Sequence, residues 1–266
     1  MINGTLFKRE MKSGLKLWLI FAAVITLYVI CIIGFYDAET MKMLDGLTRA
    51  MPEIMAAVGM KAGATSLLGF MISYLYGFIL LVFPMIFSIL RSTGLLARYA
   101  ERGSLTYLAA APVKRSVIAF TQMGVLTVSL FLLVLYTTAV EFLTAQLLFP
   151  GECSLTELLT LNAGLLCLHL FIGAVCFGAS CLFSDTRKCA VFGAGIPTLM
   201  YLFQMIANVS DKAEKIKYLS AFTLFDANGL IAGKTNALLC SVILLVGAVI
   251  LYAGGISVFC RRDLHL

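Results

Sequence analysis

The residues of this chain that could act as nucleophiles, acid–base groups or metal ligands are few and scattered. The chain has eight cysteines and only two histidines, His169 and His265. Seven of the cysteines lie in long apolar runs, and no C-x-x-C or Cys/His pair has the spacing of a zinc site. Small apolar packing residues are the simplest interpretation of these thiols. We therefore predict no metal site.

The motifs that build hydrolytic or nucleotide-binding sites are missing from the sequence. It contains no H-E-x-x-H, no G-x-S-x-G and no G-x-x-x-x-G-K-[ST]. The chain therefore lacks a P-loop of its own. We predict no catalytic residues and no cofactor in this chain, and expect that it is not an enzyme.

The composition is that of a membrane protein. Of the 266 residues 61% are hydrophobic and 13% are charged, whereas a soluble domain has about 25% charged residues. Six apolar runs are long enough for a membrane-spanning helix, which needs roughly 20 residues, and none contains Asp, Glu, Lys or Arg. They are Leu17–Phe35, Ser66–Leu90, Ser116–Val140, Leu158–Phe183, Cys189–Val209 and Ala237–Cys260. The sequence predicts an all-α integral membrane fold with one domain over residues 1–266.

The connecting segments differ in charge between the two sides of this predicted bundle. One side carries 13 Lys and Arg against four acidic residues, and the other carries seven against ten. The segments of the basic side are Met1–Lys16, Arg91–Arg115, Ser184–Lys188 and Arg261–Leu266. Because cytoplasmic loops are enriched in Lys and Arg, we place both termini and Arg91–Arg115 in the cytoplasm. This topology accounts for the net charge of +6, so nucleic-acid binding is not needed to explain it.

The first 16 residues have the pattern of an amphipathic helix. At 100° per residue Lys8, Arg9, Lys12 and Lys16 share one arc, and apolar residues occupy the rest of the circle. Such a helix lies in the membrane interface with its basic face towards anionic headgroups. We predict an interfacial helix over Met1–Lys16. The alternative is a simple basic flank of the first span.

Five polar residues within the spans are candidates for a transport path. They are Gln122, Asn162, His169, Gln204 and Asn208. Each can equally be a packing residue, and a lone histidine such as His169 is more often hydrogen-bonded in the core than a ligand. Pro84 should kink the second span, and neighbouring groups can satisfy the carbonyl that it frees.

Glu141 follows the third predicted span directly. A buried ionisable group in a membrane helix would be a functional candidate. Because the residue stands at the end of the run, we expect it at the outer interface, in contact with solvent.

The segment Arg91–Arg115 has the features of a short docking helix between two spans. Gly103 and Ser104 can begin a helix, with Ser104 as its N-cap. Leu105, Leu108 and Ala109 then fall on one face, and Pro112 ends the helix. A short helix with one apolar face and charged flanks can bind in the groove of a partner. The alternative is a plain juxtamembrane loop.

This segment resembles the signature of type-2 ABC transporter permeases. That family has an acidic residue, Gly-Ser/Thr-Leu, small residues, then Pro and a basic residue between spans two and three. The sequence Glu101–Arg115, ERGSLTYLAAAPVKR, is similar to it. Leu219–Asp226 and Phe259–Leu264 also look like family segments, so the resemblance covers most of the chain. The sequence departs at Thr106 and Tyr107, where an acid is common, and at Thr121–Gln122, where a Lys is common.

The resemblance implies a membrane subunit of an ATP-driven exporter in a bacterial cell membrane. It implies docking of a cytoplasmic ATPase subunit, which holds ATP and Mg²⁺, at a coupling helix. The docking residues would be Glu101, Gly103, Ser104, Leu105, Leu108 and Pro112. It also implies pairing with a second permease chain, identical or different, within the lipid bilayer. Few charges in the spans and a methionine-rich outer segment favour a hydrophobic or amphipathic cargo. The alternative is a stand-alone secondary transporter or a membrane anchor.

Overall fold

The computed structural model describes residues 2–60, 63–64, 66–96, 114–209 and 211–261. The predicted coupling helix, with its candidate docking residues, lies outside these ranges and stays a prediction. So does the end of the chain at 262–266.

All regular structure in the described part of the chain is helical. The helices are α1 Gly4–Gly34, α2 Ala38–Ala50, α3 Pro52–Ala57, α4 Leu67–Thr93, α5 Arg115–Leu148, α6 Leu155–Leu182, α7 Thr186–Val209, α8 Ala227–Ile231 and α9 Thr235–Arg261. Two 3-10 helices, Asp211–Leu219 and Ala221–Leu224, precede α8. Within the same ranges six helices, α1, α4, α5, α6, α7 and α9, are long and apolar enough to cross a bilayer. The fold is that of an α-helical, multi-pass membrane protein, as predicted.

The six long helices alternate in direction, so the bundle has two ends. The basic end is the end of the bundle that holds the amino-terminal ends of α1, α5 and α7 and the carboxyl-terminal ends of α4, α6 and α9. There the amide of Leu96, after α4, donates to Ser180 Oγ of α6 at 3.3 Å. At the other, acidic end, the ring of Tyr36 contacts those of Phe70 and Phe149, with centroids 5.6 and 5.2 Å apart.

Helices α4, α5 and α6 form the centre of the bundle, and α1, α7 and α9 cover it. More than half of the most apolar stretch of each central helix is buried, against about a quarter in the covering helices. The covering helices leave large apolar side chains such as Leu199 and Ile250 more than half exposed. A chain with such a surface needs lipid around it, because water would have to hydrate these faces.

The amino-terminal segment differs from the prediction of a separate interfacial helix. Residues Gly4–Gly34 form one continuous helix that packs along α5. The amide of Asn3 donates to Thr121 Oγ1 at 3.0 Å, and Trp18 Nε1 donates to the carbonyl of Ser129 at 3.2 Å. Nothing between residues 4 and 34 breaks a helix, since proline is absent there. At 1.5 Å per residue α1 exceeds the roughly 30 Å apolar core of a bilayer, so it projects beyond it.

Candidate functional site

A cavity of about 430 Å³ lies at the acidic end of the bundle. It forms where α3, α4, the carboxyl-terminal half of α7 and the segment 222–228 meet. Its polar lining residues are Ser73, Tyr76, Gln204, Asn208, Asp226 and Asn228. Its larger apolar or aromatic lining residues are Ile72, Leu81, Tyr201, Phe222 and Phe225. This volume and this mixture are typical of sites for small amphipathic ligands.

An irregular part of α4 forms one wall of the cavity. Residues Ile72–Ile79 are π-helical, a conformation that is rare and often found at functional sites. Gly77 in this stretch allows a close approach of Gly59, which follows α3 and has φ +78°. A Cβ atom at position 77 would lie 3.1 Å from the carbonyl oxygen of Gly59. The two glycines thus let the backbone after α3 pack directly on α4 beside the cavity.

Helix α7 forms the opposite wall with residues on one face. Tyr201, Gln204 and Asn208 are spaced three and four residues apart and all line the cavity. Gln204 Nε2 donates to Asn208 Oδ1 at 3.3 Å, and Thr223 Oγ1 donates to Gln204 Oε1 at 2.6 Å. The second bond ties α7 to the 3-10 helix Ala221–Leu224.

Asp226 stands at the rim of the cavity and is the N-cap of α8. Its Oδ1 atom accepts a hydrogen bond from the amide of Gly229 at 2.9 Å. An Asp at this position satisfies an amide that the helix leaves free. The side chain is otherwise exposed, so its charge faces the cavity mouth and solvent.

A buried polar cluster lies directly behind the cavity wall. Tyr76 Oη donates to Glu141 Oε2 at 2.9 Å, and Asn162 Nδ2 lies 2.7 Å from the same oxygen and 2.8 Å from Tyr76 Oη. The other oxygens, Glu141 Oε1 and Asn162 Oδ1, are buried and accept no hydrogen bond from the described residues. Helices α4, α5 and α6 each contribute one side chain. The cluster therefore joins the three central helices, and Tyr76 connects it to the cavity.

The position of Glu141 corrects the prediction from sequence. Its side chain is fully buried, whereas we expected it in contact with solvent at the outer interface. The reason is that α5 does not end near Val140 but continues to Leu148, so Glu141 is two turns inside the helix. Nearby Cys153, in the turn between α5 and α6, is also buried. Burial, with Glu141 and Glu157 close by, raises the pKa of this thiol to about 11.

His169 takes a hydrogen-bonding role next to a proline in α4. Its Nε2 atom lies 2.7 Å from the carbonyl oxygen of Leu80, and the side chain is fully buried. Leu80 is four residues before Pro84, and a proline cannot donate to that carbonyl. His169 thus supplies the hydrogen bond that Pro84 removes, which requires the tautomer with a proton on Nε2. This agrees with the packing interpretation of the histidine.

Helix α6 also supplies a hydrogen bond to the carbonyl that a second proline leaves free. Pro197 lies within α7, and the carbonyl that it cannot bond is that of Gly193. The thiol of Cys176 donates to this carbonyl oxygen at 3.2 Å. Cys176 follows His169 on α6 by seven residues, so both are on one side of that helix. Helix α6 therefore satisfies a freed carbonyl in each of two neighbouring helices.

Gln122 lies apart from this group, near the basic end of α5. It is fully buried, and neither its Oε1 nor its Nε2 has a hydrogen-bond partner among the described residues. The structure does not bring it to the cavity.

The basic end holds a buried ion pair that joins α1 to α4. Arg91 Nη2 donates to the carbonyl oxygen of Glu10 at 2.6 Å and lies 3.6 Å from Glu10 Oε2. Gly14 makes room for the guanidinium, because a Cβ atom there would be 2.8 Å from Arg91 Cζ. The chain leaves α4 towards the predicted coupling helix only a few residues after Arg91. The ion pair therefore holds the end of α4, from which that segment starts, against α1.

The structure assembles three of the five polar residues that the sequence singled out. Gln204 and Asn208 line the cavity, and Asn162 is hydrogen-bonded to the lining residue Tyr76. His169 and Gln122 lie elsewhere. Sequence reasoning missed Tyr76 and Tyr201, since a tyrosine in an apolar run carries no distinct signal. Glu141 had a signal, because the apolar run continues after it as far as Phe149.

No protein-family model matches the chain, and no curated protein is significantly similar to it.

Proposed function

We propose that this chain is the membrane subunit of an ATP-driven exporter of the type-2 ABC class. The observation that carries the proposal is the similarity of Glu101–Arg115 to the docking signature of that class, in the connection between α4 and α5. The arrangement of the bundle is compatible with it. Helix α4 ends and α5 begins at the basic end, which also holds the start of α1 and the end of α9. A cytoplasmic partner at this end would contact the segment most directly.

The energy for transport would come from a partner chain. The ATPase subunit would bind ATP and Mg²⁺ and would hold the coupling helix in a groove. A second permease chain, identical or different, would complete the translocation path in the cell membrane. The cargo would be hydrophobic or amphipathic, and the mixed lining of the cavity at the acidic end supports this choice.

The test replaces the apolar face of the coupling helix. The variant Leu105→Glu with Leu108→Glu should insert normally, lose the ATPase subunit on affinity purification and lose ATP-driven transport. The unmodified chain should bring down an ATP-binding protein with a P-loop, together with vanadate-sensitive ATP hydrolysis. The measurement is mass spectrometry of the purified complex with its ATPase rate.

The matched control is Thr106→Glu with Tyr107→Glu, which adds the same charge on other faces of the helix. Because an acid is common at these positions in the resembled family, the control should retain the ATPase. If the wild-type chain never brings down an ATPase, the proposed function is wrong. If the ATPase binds the 105/108 variant as tightly as the wild type, the docking surface is wrong.

A second candidate function is a secondary transporter driven by an ion gradient. Glu141 favours it, because a fully buried carboxyl group beside a cavity can take up and release a proton during transport. Transport into liposomes by the purified chain, driven by a proton gradient without ATP and lost in Glu141→Gln, would establish this function. A requirement for ATP and a partner chain would exclude it.

A further inference from the structure

The walls of the cavity combine aromatic rings with one carboxylate. Four rings line it, those of Tyr76, Tyr201, Phe222 and Phe225, and Asp226 stands at the rim. The rings of Tyr201 and Phe222 are in edge contact, with centroids 5.2 Å apart. Among the described lining residues there is no Lys, Arg or His. The face of an aromatic ring attracts cations, so the rings and the carboxylate both favour a positively charged ligand.

Buried polar atoms without a partner among the described residues lie in the cavity wall and behind it. The hydroxyl of Tyr201 is buried and has no hydrogen-bond partner among the described residues, and the residue is only 7% exposed. Behind Tyr76, Glu141 Oε1 and Asn162 Oδ1 are also without a donor from those residues. Of these groups only the Tyr201 hydroxyl belongs to a lining residue, and it can accept a hydrogen bond from a protonated amine. Glu141 and Asn162 are not lining residues, so they make the region behind the wall polar without contacting the ligand.

We propose that this cavity binds an organic cation with apolar substituents, such as a quaternary ammonium or a protonated amine. The charged group would lie among the rings and within reach of the field of Asp226. Its apolar part would contact Ile72 and Leu81 of α4. An anionic lipid headgroup does not fit, because the lining offers a carboxylate and no basic side chain. The inference requires binding to this chain only, so it holds for either candidate transport mechanism.

The probes are a cation, a neutral molecule of the same shape and an anion of similar size. Phenyltrimethylammonium carries a positive nitrogen where tert-butylbenzene has a carbon, and benzenesulfonate supplies an anion of similar size. Radiolabelled phenyltrimethylammonium is bound to the full chain, purified in detergent, and displaced by each unlabelled compound. We expect the cation to compete at least about tenfold better than the neutral isostere, and the sulfonate not at all. Equal competition by the neutral isostere or by the sulfonate would overturn the proposal.

Two variants with the same chemistry locate the site. Asp226→Asn keeps the cap on Gly229, because an Asn oxygen accepts the same bond, but it removes the charge. Asp37→Asn does the same at the N-cap of α2, outside the cavity lining. We expect affinity to fall about tenfold in Asp226→Asn and to stay unchanged in Asp37→Asn. Unchanged affinity in a well-folded Asp226→Asn protein, or an equal loss in both, would contradict the assignment.

A third variant tests the rings rather than the charge. Phe225→Leu keeps an apolar side chain in the cavity lining but removes one aromatic face. It should weaken binding of the cation and leave binding of tert-butylbenzene nearly unchanged. A parallel loss for both compounds would mean that the cavity recognises apolar shape alone, and the proposal would fail.

Discussion

At the scale of single residues, the cost of burying polar groups explains which side chains are paired. Glu141 is fully buried, and moving a carboxyl group out of water is unfavourable unless donors replace the water. Tyr76 and Asn162 provide those donors to one oxygen of the carboxyl group. The three side chains therefore depend on one another, and removing one leaves the others unsatisfied.

This dependence predicts a specific coupling between Asn162 and Glu141. Asn162→Leu should destabilise the protein by about 2–3 kcal/mol, since it removes a donor from a buried carboxyl group. In a Glu141→Gln background the same change should cost much less, because a neutral amide is less costly to leave partly unsatisfied. The measurement is thermal unfolding of the four proteins in one detergent. An equal cost of Asn162→Leu in both backgrounds would contradict the role given to the cluster.

The buried thiol of Cys153 predicts an unusual pH dependence of alkylation. With a pKa of about 11, the reactive thiolate is scarce at neutral pH, and its fraction rises about tenfold per pH unit until that value. In a variant with Cys153 as the single cysteine, the rate with iodoacetamide should be slow at pH 7 and keep rising beyond pH 9. The same protein unfolded in denaturant should react faster, and its rate should level off above pH 8.5, about the ordinary pKa of a thiol. A folded-state rate that levels off at the same pH as the unfolded one would contradict this assignment.

At the scale of the helices, α6 compensates for prolines in its neighbours. His169 bonds the carbonyl that Pro84 frees in α4, and Cys176 bonds the one that Pro197 frees in α7. The prolines in α4 and α7 thus each have a replacement donor, and the central helix α6 provides both from one side.

The compensation predicts that restoring a backbone donor makes the histidine dispensable. His169→Phe should cost about 1–3 kcal/mol, because the Leu80 carbonyl loses its donor inside the bundle. In a Pro84→Ala background the amide at position 84 can bond that carbonyl, and the cost should fall. The readout is the apparent melting temperature of each single and double variant.

Pro197→Ala is the matched control, since this proline lies in another helix and is paired with Cys176. It should leave the cost of His169→Phe unchanged. The interpretation fails if both proline variants rescue the His169→Phe protein equally, or if neither does.

The helices illustrate what the sequence could and could not predict. Apolar length located all six long helices, and four of them, α4, α6, α7 and α9, lie within about three residues of the predicted bounds. The other two were predicted too short, α1 at its start and α5 at its end. Lys16 and Glu141 marked those predicted ends. Lys16 is exposed although it lies within α1. Glu141 is buried because Tyr76 of α4 and Asn162 of α6 donate to it. Glu10 of α1 is likewise buried beside Arg91 of α4. Such partners are distant in sequence, so apolar patterning alone does not reveal them.

The cavity was beyond sequence reasoning for the same reason. It depends on the close approach of Gly59 and Gly77 and on the π-helical stretch of α4. Neither feature follows from the residue types, because a glycine in an apolar run fits many packings. The amides Gln204 and Asn208 were the only local signal, and they do line it.

At the scale of the whole molecule, the two ends of the bundle have different chemistry. The basic end carries the ion pair of Glu10 and Arg91 and the start of the segment that we propose as a docking site. The acidic end carries the cavity with its aromatic lining. Helices α4 and α5 connect both ends, since α4 contributes Arg91 to one and Tyr76 to the other. A movement of the α4–α5 connection would therefore reach the cavity wall through α4.

The most direct test of the proposed exporter function is a crosslink from the predicted docking helix. A photoreactive amino acid is placed at Leu105 or Leu108 in cells of the native host, and at Leu147 as a control. Leu147 is 81% exposed near the acidic end of α5. We predict a light-dependent crosslink from positions 105 and 108 to a protein that carries a P-loop, and none from position 147. A correctly inserted chain that gives no such crosslink from 105 or 108, or gives it equally from 147, would contradict the proposal.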